Sequence, residues 1–283
     1  MKKILILLLL MAAVALLTGC DERTVYVCDA IPDPPVGIYS ITHDGCIEVV
    51  WQANNDAGLT ESYGVYRFTG YVGNLEEYEL IGTVGVVSGA VTEHFDDYNV
   101  INGETYWYAV NAYNGFGESD LSYESAFDTP RPQGNASLRD YLTYPAQAGF
   151  DFSSHHKVVN WESAAADIFF EYDANLDAFF FYAADWDVDI QDFGYTDNIT
   201  DVNWGDPGSG WSAVGWIQLS LNHAYLVWTA DDHYAAFRVN SLNPGSKRVD
   251  VTWAYQTDPG NPELAPRRHD GPQRAENYGR REN

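Results

Sequence analysis

Positive charge is scarce in this 283-residue chain: 15 Lys and Arg stand against 41 Asp and Glu, a formal net charge of −26. Such a surface repels nucleic acid and anionic lipid headgroups, which removes nucleic acid from the expected partners. Methionine is nearly missing, with two residues, and helical heptad patterning is weak, while aromatic residues reach 15%. Tyr, Trp and Phe suit pleated, half-buried surfaces, so the composition points to an all-β protein. Its length suits two domains of ordinary size. Signatures of catalysis are missing as well: no Gly-x-Ser-x-Gly elbow, His-Glu-x-x-His, Cys-x-x-Cys, Walker loop or Gly-x-Gly-x-x-Gly occurs. Nothing singles out an acid pair for glycoside hydrolysis among the 41 carboxylates, and the expectation is a protein that is not an enzyme.

The one long apolar run covers residues 4–17, behind Lys2 and Lys3 and ahead of Thr18-Gly19-Cys20. A basic start, an apolar stretch and a small-residue cleavage site make a secretory signal, and the run falls short of the roughly twenty residues that span a bilayer. Its ending, Leu17-Thr18-Gly19-Cys20, resembles a bacterial lipobox, which implies cleavage before Cys20 and diacylation of that thiol. The resemblance implies a signal peptide over 1–19, an anchored linker over 20–32, and attachment through Cys20 to the cell envelope, at the outer membrane or cell surface in preference to the inner membrane. Cys28 and Cys46 then remain in an oxidising compartment. A disulfide between them would contribute about 3 kcal/mol, the alternative being two unpaired thiols. Two cysteines with no nearby histidine pair make a poor zinc site.

Residues 33–130 read as short strands broken by turn signals, over 36–41, 46–52, 62–68, 78–84, 91–95, 105–112 and 121–127. In Ile47, Val49 and Trp51 the apolar positions alternate, which points Trp51 into a core. Pro34-Pro35, Trp51, the run Tyr63-Gly64-Val65-Tyr66-Arg67, and the stretch from Asn102-Gly103-Glu104-Thr105-Tyr106 through Trp107-Tyr108-Ala109-Val110-Asn111-Ala112 to Gly117-Glu118-Ser119 together resemble a fibronectin type III domain. The resemblance implies a sandwich with Tyr106 packed at a corner. The loop Asn114-Gly115-Phe116-Gly117-Glu118 lacks Arg-Gly-Asp, so a spacer or docking role is expected rather than integrin-type adhesion.

A stiff, turn-rich linker is expected over 129–134, then a second antiparallel β-rich domain over 135–258 and a disordered polar tail over 259–283. One helical turn is expected over 137–142, followed by strands over 149–152, 157–161, 167–172, 177–183, 186–191, 213–219, 225–229, 234–239 and 248–255. Asp231-Asp232 suits a hairpin turn. Gly149-Phe150-Asp151-Phe152-Ser153 and the run from His223 through the Asp231-Asp232 turn to Val239, with 249–255, resemble strands of HmuY-type haem-binding lipoproteins. That family holds haem between two histidines, and neither ligand position falls on a histidine of this sequence, so the resemblance implies the fold.

Three groups of residues invite a ligand. If 186–191 is a strand, Asp185, Asp187 and Asp189 share one face and suit a hard cation such as calcium, against a solvated face over a Trp186, Val188 and Ile190 core. His155, His156 and His223 are the histidines to test for haem, although a surface or hairpin-end position is the plainer reading of each. Trp204, Trp211 and Trp216 lie in or beside a long acidic loop and could stack on sugar rings. Trp204 and Trp211 are favoured because turn residues surround them. The expected function is an envelope-anchored, non-enzymatic binding module, with the first domain as spacer and the second as recognition element. Its unknown ligand is a haem, a glycan or an envelope protein.

Overall fold

In the first domain every second residue of the central strands is apolar, and pairing those strands builds a sandwich. This computed structural model describes residues 30–54, 56, 58–69, 78–205 and 208–266. Strands β1 (Val36–His43), β2 (Cys46–Gln52) and β5 (Thr92–Asp97) form one antiparallel sheet. The second contains β4 (Glu79–Gly85), β3 (Ser62–Thr69), β6 (Tyr106–Asn114) and β7 (Gly117–Glu118), with β8 (Ala126–Asp128) also pairing β6. Ile47, Val49 and Trp51 are fully buried between the sheets, and Trp51 meets the Tyr63 ring edge-on at 5.3 Å. The Tyr106 hydroxyl accepts from the Ile101 N–H (3.0 Å) and donates to Glu104 (3.0 Å), which closes the expected corner.

The second domain is also a sandwich of antiparallel strands. One sheet runs β11 (Lys157–Val159), β10 (Gly149–Asp151), β12 (Ile168–Asp173), β13 (Ala178–Ala183), β15 (Trp216–Gln218). The other runs β14 (Asp189–Tyr195), β16 (His223–Trp228), β17 (Tyr234–Asn243), β18 (Arg248–Tyr255), β9 (Gln133–Arg139). Phe170, Phe181, Tyr225 and Phe237 fill the space between them. On the other face of the second sheet Leu226, Ala236 and Ala254 form a smaller cluster, covered by Ile199, Val202 and Leu264.

Four expectations change. Residues 137–139 belong to β9 instead of a helical turn, because Leu138 is buried opposite Val249 while Asn135, Ser137 and Arg139 alternate outward. The 186–191 strand begins only at Asp189: Asp185 and Asp187 lie in a bend and turn, Trp186 is 92% exposed, and Val188 and Ile190 alone turn inward. Residues 259–266, assigned to a tail, are packed, with Leu264 fully buried and its N–H on Asn203 O (2.9 Å); residues 267–283 lie outside the described residues. Residues 129–132 are a buried joint in place of a linker.

At that joint Gly103 N–H donates to Pro130 O (2.9 Å), Arg131 N–H to His43 O (3.3 Å) and Tyr255 N–H to Pro132 O (3.0 Å). Gly103 sits at φ +86, where a Cβ would also run into Thr257 Oγ1, so only glycine fits. Arg131 is 0% exposed; its Nε donates to Leu264 O and its Nη1 to Gln133 Oε1 (3.1 Å).

Candidate functional site

Strand β13 reads Ala178-Phe179-Phe180-Phe181-Tyr182-Ala183, with aromatic residues on both faces. Period-two geometry sends Phe179 and Phe181 into the core, so Phe180 and Tyr182 face outward. Cross-strand register extends that outer face. Phe169 on β12 lies opposite Tyr182, which lies opposite Trp216 on β15, and Glu171 lies opposite Phe180, which lies opposite Gln218. Gly149 completes the first row beside Phe169; a Cβ there would come 3.0 Å from the Trp161 Cα, so glycine lets that tryptophan close in.

Six rings meet on this face. Tyr141 contacts Trp161 (5.1 Å) and Phe169 (5.3 Å), and Trp161 contacts Phe169 (5.1 Å). Phe169 stacks on Tyr182 at 5.0 Å with planes 11° apart, and Trp216 stands edge-on to Phe180 at 5.5 Å. None of the six belongs to the hydrophobic clusters of either sandwich. Trp216 is 42% exposed, Phe180 is buried, and the other four are half-buried. From Phe169 to Trp216 the row crosses three strands, about 10 Å at the usual strand spacing.

Polar groups border the rings. The Tyr182 hydroxyl donates to Glu171 Oε2 (2.5 Å), and burial, then this bond to Glu171, pushes its pKa well above the ordinary tyrosine value. The Tyr141 hydroxyl is pushed up by burial and by Glu171 and Asp140. Both phenols therefore stay protonated at neutral pH. Flat apolar faces beside a carboxylate, an amide and two hydroxyls match an amphipathic ligand with one apolar and one hydroxylated side.

Of the tryptophans named from the sequence, Trp216 is the one on this face. Trp211 instead packs on the smaller cluster near Trp228 (6.0 Å) and Tyr234 (6.5 Å), and Trp204 pairs its backbone with Glu263. Phe169, Phe180 and Tyr182 escape a sequence reading that credits strand aromatics to the core, although four successive aromatic residues on one strand cannot all face inward.

The histidines separate into two places. His155 Nδ1 lies 2.7 Å from Asp151, and His156, at φ +51, wedges between Trp253 and Tyr255, each 5.3 Å away. Their loop is tied to the β16–β17 turn by Ser153 donating to Asp231 (3.0 Å). His223 bonds Asp192 (3.2 Å) at the opposite end of β16, roughly 17 Å away along the strand, so His155 or His156 and His223 do not face one iron. The histidine that does approach is His233, 5.1 Å from the Tyr255 ring. Asp185, Asp187 and Asp189 do not share a strand face, because the chain turns before Asp189, and this removes the geometric premise for calcium there. Cys46 is buried and has no disulfide partner among the described residues, while Cys20 and Cys28 lie outside them.

No family model matches the chain, and no curated protein matches it. Solved structures similar to part of it include a Fn3-like protein from Clostridium thermocellum, 24% identical over 35% of this chain and 92% of that one, TM-score 0.28. A human fourth fibronectin type III domain is 20% identical over 40% of this chain and 91% of its own, TM-score 0.29.

Proposed function

We propose that the protein is a non-enzymatic glycan-binding module of the bacterial cell envelope, held through a lipidated Cys20, with the first sandwich as spacer and the second as the recognition element. The supporting observation is the continuous row Phe169, Tyr182, Trp216, bordered by Glu171 and Gln218, on a sheet face that packs against neither core. Aromatic faces cover the C–H side of a sugar ring while carboxylate and amide groups bond its hydroxyls. Binding of the full chain to a panel of envelope and plant polysaccharides tests the reading. Retention on at least one of them, weakened at least tenfold by Tyr182→Ala and by Trp216→Ala but not by Trp211→Phe, is expected. Retention indifferent to the first two substitutions, or none at all, overturns it. Haem draws less support, since its candidate histidines lie at opposite ends of β16; a Soret band on haemin titration that disappears in His156→Ala would favour it instead.

A further inference from the structure

We propose a second site, for a zinc-class divalent cation, on the outer face of the first sandwich. Strand β2 sends Ile47, Val49 and Trp51 to the core, so Glu48 points away from it. On β5 the residue opposite Glu48 is Asp96, and His94 lies opposite Val50 on the same face. One donor atom from each of Glu48, His94 and Asp96 lies within 4.8 Å of the other two. Bonds of about 2.0–2.2 Å to a single ion bring tetrahedral donors to roughly 3.5 Å apart, a contraction within the reach of rotamer changes in half-exposed side chains.

The surroundings resemble those of ligating groups. Both carboxylates also have a second polar neighbour: the Tyr98 hydroxyl donates to Asp96 Oδ2 (3.3 Å), and His43 Nε2 lies 3.5 Å from Glu48 Oε2. The His94 imidazole makes no hydrogen bond or ion pair among the described residues, which leaves a nitrogen for the ion. One imidazole with two carboxylates suits zinc and its first-row neighbours, with water completing the shell; calcium prefers six to eight oxygens. The net charge of −26 raises the local concentration of any cation. Of the three ligands, Glu48 also lines, with His43, a cleft of about 430 Å³ shared with Asp197, Arg238, Asn240 and Thr252 of the second sandwich.

Titration of the full chain with zinc chloride by calorimetry, and with cobalt chloride by visible absorption, tests the site. One equivalent of zinc and a cobalt ligand-field band are expected, with affinity falling at least tenfold in His94→Ala and in Asp96→Asn and unchanged in Asp187→Asn. Equal affinity in the wild type and the first two variants, or the absence of saturable binding, overturns it. Because all three side chains are at least partly exposed, the variants are expected to keep the wild-type melting temperature.

Discussion

The Nε of Arg131 donates to the carbonyl of Leu264, a residue 133 positions later in the chain, at a point where Arg131 has no exposed surface. Asp128 and Glu263 are its charged neighbours. The first sandwich is therefore tied to the second by a buried charge, and losing that charge removes the cation beside Asp128 and Glu263 while leaving the other polar groups of the joint buried. Arg131→Met is expected to cost about 3–5 kcal/mol in urea unfolding. A change below about 1 kcal/mol would mean that the joint holds without it.

The same joint makes stability depend on pH. Burial pushes the Asp128 carboxyl up to about 7, opposed by the Thr42 hydrogen bond and Arg131, and burial with Asp128 pushes Glu263 up to about 8. An unfolded chain releases these protons near pH 4, so between that pH and about 8 the folded state binds more of them. Their stabilising contribution is complete below pH 4 and is lost as pH rises through the folded values. Glu263→Gln is therefore expected to gain on the wild type as pH rises from 5 to 9; parallel unfolding curves across that range would contradict the assignment.

Strands over 46–52 and 248–255 can be read to the residue, because Ile47, Val49, Trp51 and Val249, Val251, Trp253 alternate strictly and each strand pairs on both sides. Reading fails where one segment serves two environments. Leu138 looks like the apolar position of a helical turn, and only its pairing with Val249 makes it a strand residue. Trp186 fits an alternating pattern, yet the chain turns before that pattern can bury it. Neither site was legible for the same reason: Phe169 beside Tyr182, and Glu48 beside Asp96, are products of register between strands, which local composition does not encode.

Cys46 supplies a chemical check on the first sandwich. Burial first, then Asp96, Asp97 and Glu48, push its thiol up to about 11, so the thiolate that alkylating agents attack is rare at pH 8. Native protein is expected to resist iodoacetamide at Cys46 and to label there on unfolding without reductant. Labelling that requires reductant would place Cys46 in a disulfide, and under the proposed lipid anchor at Cys20 its partner would be Cys28.

The two faces of β13 should respond to mutation in opposite ways. Phe181 is fully buried and meets Phe237 at 4.5 Å and Phe170 at 5.8 Å, so Phe181→Ala removes a ring from a closed core and is expected to cost about 3–5 kcal/mol. Trp216, at 42% exposed, keeps water on one side and touches mainly Phe180 and Tyr182, so Trp216→Ala should cost less than about 1.5 kcal/mol. A binding face predicts that Trp216→Ala weakens glycan retention while unfolding barely changes. If Trp216→Ala destabilises the chain as much as Phe181→Ala, the outer rings are a third core, and the platform loses its claim to a ligand.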